Sequence, residues 1–318
     1  MTKKKALIFG VNGQDGSYLS KFLLSIGYIV YGTYRNKNSL KNKNLEKLKI
    51  DKLVIKIKLN NFHKDNIDKI LSNTLPDEVY LLGSPSSVSE SFSKPEYYYK
   101  YIVECTKAII ESILQSKKNI KIFYPSSAEC FGNQGDLKFD ESSKFRPVSP
   151  YGLAKKEAHN LVDRFRQSGK LFICSGILFN HESSLRPKTF VTQKIIQSIR
   201  DVKTKKIDNF SLGNLDIIRD WGYAPEYVKA MWLMLQKDNP DNFIIATGIG
   251  KSLKDFLNIA FSHFNLSWQD HIVINQRLYR SNEVYQTIGN PKKANEELNW
   301  KSKKNLEDII EIMINEKI

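Results

Sequence analysis

Cysteine is scarce in this 318-residue chain. Cys105, Cys130 and Cys174 are an odd set with no C-x-x-C spacing, so neither a disulfide framework nor a cysteine metal site is implied. No run of about 18 uncharged apolar residues is present, which excludes a membrane-spanning helix. The opening MTKKKALIFGVNG has an apolar run only one strand long and lacks a signal-peptide core and cleavage site. The expectation is a cytoplasmic protein with no metal and no membrane partner. Acidic residues are in deficit, 34 Asp and Glu against 49 Lys and Arg, for a net charge of +15. The excess is scattered, often beside asparagine as in RNKNSLKNKNLEKLK. It lacks the interleaving of basic and aromatic residues that stacks bases, so nucleic acid is not an expected partner, whereas a phosphorylated small ligand is compatible. Internal repeats and low-complexity linkers are also missing.

What is present is an alternation. With 41% hydrophobic and 26% charged residues the chain can bury a substantial core. Short apolar runs at 5–10, 28–34, 53–57, 78–83, 121–127 and 171–180 read as strands, separated by helix-period segments at 16–26, 63–73, 96–115 and 150–167. That order predicts an α/β fold, a doubly wound parallel (Rossmann) sheet over 1–180 to which some later segments return. After residue 181 the rhythm breaks, and further helices at 225–236, 252–263 and 304–315 predict a smaller C-terminal substrate-binding lobe over 181–318. The Lys/Asn-rich stretch 35–52 reads as a mobile loop.

The first chemical signal is GVNGQDG, with Gly10, Gly13 and Gly16 directly after the first strand and opening a helix. Glycines there let the backbone turn tightly and approach a pyrophosphate, whose charge meets the helix N-terminus. The second strand ends in GTYRNKN. NAD enzymes usually place an acid at this point for the ribose 2′-hydroxyl, whereas a basic residue suits a 2′-phosphate, so Arg35 points to NADP. The second signal is SPYGLAK. Tyr151 and Lys155 are four residues apart on one helix face, and an ammonium near a phenol favours the phenolate, making tyrosine a usable general base. Tyr-x-x-x-Lys alone is common; after a glycine loop, with the serine cluster YPSSAECFG between, it becomes specific.

At these residues the chain resembles the extended short-chain dehydrogenase/reductases, whose glycine loop, serine or threonine, tyrosine and lysine match Gly10, Gly13, Gly16, Ser127, Tyr151 and Lys155. More narrowly, PDEVYLLG, GILFNHES, FVTQKI, LGNLDIIRDWGYAPEYVKAMWLMLQ, DNFIIATG and GNPKKANEELNW look like the corresponding segments of GDP-mannose 4,6-dehydratases, in order and over nearly the whole chain. The resemblance implies a lyase that oxidises a GDP-hexose at C4, eliminates water across C5 and C6, and returns the hydride to C6. It makes Tyr151 the base at the 4-hydroxyl, Lys155 its electrostatic tuner, Ser127 the orienter of the 4-oxygen, and Glu129 the base at C5 and acid at C6. That role explains a glutamate among serines.

Matching further residues assigns Asn12, Gln14, Asp15, Arg35, Asn60, Leu82, Ser84, Tyr97, Lys155, His181 and Arg186 to NADP. Asn180, Val191, Lys194, Arg219, Arg280 and Glu283 fall to the GDP-sugar, the cations sharing the diphosphate by charge-assisted hydrogen bonds. Four departures accompany the match: Asn60 stands where the family has aspartate, GSPSS (Gly83 to Ser87) replaces a GAQSH-like segment, SLRP (Ser184 to Pro187) keeps only Arg186 of an arginine pair, and Ser127, Ala128 and Glu129 stand for threonine-serine-glutamate. The default substrate is GDP-mannose, with GDP-N-acetylglucosamine or a GDP-heptose as alternatives, and a GDP-4-keto-sugar reductase or epimerase after those. A cofactor-binding regulatory protein is the non-enzyme alternative, opposed by intact Ser127, Glu129, Tyr151 and Lys155. A homodimer or homotetramer is expected, paired through the helices at 96–115 and 150–167.

Overall fold

The computed structural model describes residues 2–35, 43–135, 137–279 and 282–316. The first half of the chain supplies strands β1 (Lys5–Phe9), β2 (Ile29–Tyr34), β3 (Ile55–Lys58), β4 (Glu78–Leu81), β5 (Lys121–Ser127), the two-residue β6 (Lys138–Phe139) and β7 (Phe172–Leu178). The second half supplies β8 (Asn180–Glu182), β9 (Phe210–Leu212), β10 (Ile218–Tyr223), β11 (Asn242–Ile245), β12 (Gly250–Ser252), β13 (Ile272–Ile274) and β14 (Gln286–Gly289).

Seven strands form one sheet in the order β11-β7-β5-β4-β1-β2-β3, every pair parallel. This is the doubly wound sheet that the sequence predicts. Its inner strands are apolar on both faces because both are covered, whereas the edge strand β3 is largely exposed. Ala6, Ile8, Val30, Tyr80 and Phe123 point to one side, where helices Gln14–Ser25 and Ala224–Leu235 pack. Leu7, Phe9, Val79, Leu81, Ile122 and Tyr124 point to the other, against Lys64–Thr74, Cys105–Gln115 and Pro150–Gln167. The winding reverses between β1 and β4, and ligands of such sheets lie outside the strand C-termini at that point.

The second sheet runs β12-β10-β14-β6, with β8 also paired to β10, and β9 pairs with β13. Helices Val191–Lys203, Leu253–Ser262 and Leu306–Asn315 close a separate apolar cluster over it, centred on Trp221 and Phe256. Asp220 in β10 is fully buried and ties this sheet together. Its carboxylate accepts from Thr247 N (2.8 Å), Thr247 Oγ1 (2.7 Å), Gly248 N (2.9 Å) and Gly289 N (3.3 Å).

Two expectations need correction. The stretch 35–52 is not a free loop in its described part. Asn44–Lys47 is a helical turn, and Leu45 and Ile50 sit in the main core, so sparse apolar residues anchor a lysine-rich segment. Residues 36–42 lie outside the described residues. The expected helix at 96–115 is also not continuous: Pro95–Tyr99 passes through a π-helical turn, Lys100–Glu104, before Cys105–Gln115.

Candidate active site

The glycine loop is built by close backbone approach. Gly10, just past β1, has φ +88°, and a Cβ there would lie 2.5 Å from Gly83 Cα; one on Gly16 would lie 2.3 Å from the Gly10 carbonyl oxygen. Gly13 precedes helix Gln14–Ser25 in extended backbone and makes no side-chain cap, so the first-turn N–H groups and the helix dipole face the loop mouth. An added Cβ at Gly13 would meet nothing nearer than 3.4 Å, so the backbone there is open to a phosphate-sized group. These features fit a dinucleotide pyrophosphate. Asn12 is buried, and its carbonyl accepts from Asn44 Nδ2 at 3.1 Å. Leu82 and Ser84 flank Gly83 at the β4 edge, and Asn60 is exposed after β3. Arg35 Nη1 donates to Tyr97 Oη at 3.3 Å.

Side chains then pin this loop to the segment after β8. Gln14 Nε2 donates to the His181 carbonyl at 3.1 Å, and Ser183 Oγ donates to Gln14 Oε1 at 2.8 Å. The His181 ring contacts Asp15 through Nε2, 3.1 Å from both carboxylate oxygens, and the Phe179 carbonyl through Nδ1 at 2.7 Å. Two acceptors require an N–H on both nitrogens, hence an imidazolium. Withdrawal from water would raise the Asp15 carboxyl, but the charge and hydrogen bond of His181 hold it at about 2. Burial would lower His181, and Asp15 outweighs it, so its pKa is raised. Arg186 Nε lies 3.3 Å from Glu182 Oε2, its guanidinium 3.9 Å over the Phe190 ring.

The reactive cluster joins the end of β5 to helix Pro150–Gln167. Ser149 Oγ caps that helix, accepting from Gly152 N at 3.0 Å, and Pro150 starts it, so Tyr151 and Lys155 project from its first turns. Ser127 ends β5, and its Oγ accepts from Glu129 N at 3.2 Å, opening the 3₁₀ turn Ala128–Cys130 that carries Glu129. The helix lies so close to this turn that a Cβ on Gly152 would be 2.6 Å from the Glu129 carbonyl oxygen. The Ser127 hydroxyl favours the Tyr151 phenolate, whereas the Glu129 charge opposes it, so both groups lie near the phenol. Ser127, Glu129, Tyr151 and Lys155 are therefore together.

Their electrostatics differ from the expectation of a lowered phenol. Burial pushes the Tyr151 pKa well up, opposed by Ser127, and burial also brings Lys155 down to about 8. Lys155 Nζ donates one of its three N–H groups to the Pro125 carbonyl at 2.6 Å and sits 5.8 Å from the Tyr151 ring centre.

In the second lobe, Asn180 pairs with Trp221 across β8 and β10, and Val191 begins helix Val191–Lys203. Lys194 Nζ donates to the Ser211 carbonyl at 2.8 Å. Arg219 is buried, donating to the Ile218 carbonyl at 2.9 Å, with Nη2 3.9 Å from Glu283 Oε1. Arg280 lies outside the described residues.

A family model described as GDP-mannose 4,6 dehydratase matches residues 7–313. The chain belongs to the GDP-mannose 4,6-dehydratase family. It is 36% identical to GDP-mannose 4,6 dehydratase 2 of Arabidopsis thaliana, covering 99% of this chain and 87% of that protein. It is 36% identical to the Homo sapiens dehydratase (97% and 90%) and 35% to that of Vibrio cholerae (94% and 89%). Among solved structures, a UDP-glucose 4-epimerase of Thermotoga maritima superposes with TM-score 0.86 at 19% identity, over 98% of this chain and 97% of that one. Within the family's altered 184–187 loop, Ser184 Oγ donates to Glu316 and lies 3.4 Å from Tyr18 Oη, so the C-terminal segment fastens this loop here. Two side chains at the site escaped the motif reading. His159 Nδ1 contacts Ser126 Oγ at 3.0 Å behind the reactive serine, one helical turn after Lys155. Tyr101 lies under Arg35, at helical spacing from Tyr97. Both spacings are visible in sequence, but their partners are not.

Among the described residues no helix is long and apolar enough to cross a membrane, and no group of three or more His, Cys, Asp or Glu could hold a metal ion. All three cysteines are buried and free.

Proposed function

We propose that this chain is a nucleotide-sugar 4,6-dehydratase, a hydro-lyase acting on a GDP-hexose, with GDP-mannose as the default substrate and NADP as the cofactor. The observation that carries the reading is Glu129 on the turn after Ser127, against the helix of Tyr151 and Lys155. A simple dehydrogenase or a 4-epimerase leaves the C5 proton in place and has no use for a carboxylate there. When bound, the nicotinamide supplies the hydride chemistry, uptake from sugar C4 and return to C6. Ser127 orients the 4-oxygen, and Tyr151, as the phenolate favoured by the Lys155 ammonium, accepts the 4-hydroxyl proton. Glu129 takes the C5 proton, made acidic by the neighbouring ketone, and hands it to the departing 6-hydroxyl, which leaves as water; once C6 has regained its hydride, C5 takes up a proton through Glu129, replenished from solvent, and Tyr151 gives its own proton to solvent.

Gly10, Gly13, Gly16, Asn12 and Gln14 would hold the pyrophosphate, with Asp15 and His181 bracing the loop, while Arg35 faces a 2′-phosphate. Lys194, Arg219 and Glu283 would serve the nucleotide. Exposed Tyr99 and Leu153, 43% and 49% accessible on the helices expected to pair, support a homodimer as the minimum assembly. Mass spectrometry of products from a panel of GDP- and UDP-sugars tests the reading. A 4-keto-6-deoxy product from GDP-mannose, without net consumption of NADPH, is expected. Stoichiometric NADPH loss would make the chain a reductase, and dehydration of another GDP-sugar alone would change the substrate and leave the chemistry.

A further inference from the structure

Arg35 does not hang free at the end of β2. Its guanidinium carbon lies 4.7 Å from the centre of the Tyr101 ring, and one of its N–H groups goes to Tyr97. The Tyr97 and Tyr101 rings are 4.6 Å apart and tilted by 50°. Phe62 meets Tyr101 edge-on at 6.1 Å and stacks at 6.4 Å on Phe9, the last residue of β1. An aromatic column thus runs from the sheet edge beside the glycine loop through Phe62 and Tyr101 to Arg35. Tyr101 lies within the π-helical turn, where the Cys105 N–H bonds to the Lys100 carbonyl instead of to that of Tyr101. Such turns give up regular helical bonding and are frequent beside functional sites.

A guanidinium held over a ring, with one N–H on a second tyrosine, has lost much of its rotamer freedom while keeping other N–H groups available. Tyr97 uses one of five N–H donors, and the rest can meet a phosphate bidentately. Ordering a long side chain on binding otherwise subtracts from affinity, so a ring that orders it beforehand strengthens the charged contact selectively. We infer that Tyr101, presented by the π-turn, is the positioning residue that holds Arg35 for a 2′-phosphate and thereby sets the preference for NADP over NAD. The inference rests on the NADP reading above and adds a residue that acts through Arg35 and not on the cofactor itself.

Calorimetry with 2′,5′-ADP and 5′-ADP tests it on the full chain, Tyr101→Leu, Tyr101→Phe, Arg35→Ala and the Arg35→Ala/Tyr101→Leu double variant. Tyr101→Leu should weaken 2′,5′-ADP by about fivefold or more, the size of a lost cation–π contact, and leave 5′-ADP unchanged. Tyr101→Phe keeps the ring and should keep the preference. In the Arg35→Ala background, removal of the ring should cost nothing further, since it acts through the missing guanidinium. Tyr101→Met fills the space beside Phe62 without an aromatic face and gives the same readout if leucine disturbs packing. Equal weakening of both ligands, or an additive loss in the double variant, overturns the inference. If the unaltered chain binds both nucleotides equally, the NADP reading itself fails, and the inference with it.

Discussion

Around the glycine loop, Gln14, Asp15, His181 and Ser183 are bonded to one another across two distant segments. In the second lobe, Lys194 rests on a backbone carbonyl and Arg219 stands 3.9 Å from Glu283. In the proposed reading the cofactor side is thus held by backbone shape and a buried ion pair, and the substrate side holds its charges on internal partners that a diphosphate would have to replace. Preorganised groups aid every step at little reorganisation cost, whereas groups that must change partners contribute mainly to ground-state binding.

The largest expected effect lies where the two sides meet. Glu129→Gln keeps the shape of the turn but cannot take a proton, so turnover should fall by at least about a hundredfold while cofactor and GDP binding persist. Unchanged product formation in a discontinuous assay would remove Glu129 from the mechanism. Arg219→Ala should do the reverse, weakening substrate binding by roughly 1.5–3 kcal/mol and changing kcat less, as expected for a hydrogen bond to a charged group. A kcat loss larger than the KM change would erase the contrast between the sides.

The buried pair on the cofactor side gives a pH test. Asp15 has a folded pKa of about 2 against a reference of 3.8, so its contribution is full above about pH 4 and lost as pH falls through about 2. The folded pKa of His181 is raised above 6.5, so its contribution is full below that value and lost as pH rises through the folded pKa. Stability from the pair is therefore greatest from about pH 4 to 6.5. Asp15→Asn should lower stability by about 2 kcal/mol at pH 5 and by less at pH 9, measured by denaturant melts. A loss independent of pH would mean that the contact is steric.

The same contrast governs what the sequence reveals. The glycine loop, the Tyr151–Lys155 spacing and the parallel strands are local patterns, because a strand, a turn and one helix face each fit in a few residues. The π-turn at Lys100–Glu104, the burial of Leu45 and Ile50, and the Tyr101–Arg35 stack depend on neighbours far along the chain, and periodicity carries no trace of them. Lys155 is instructive. Its spacing from Tyr151 is right, but spacing does not show that one of its N–H groups goes to the Pro125 carbonyl. The proposed substrate role of Lys194, Arg219 and Glu283 comes only through family resemblance, since they share no local motif.

Incubation with GDP-mannose deuterated at C4 tests the central claim most directly, because every assigned group serves an internal hydride return. The account predicts a product that has lost water and carries the deuterium at C6, with no deuterium accumulating in free NADPH. Deuterium left at C4, or recovered in reduced cofactor in proportion to product, would contradict it.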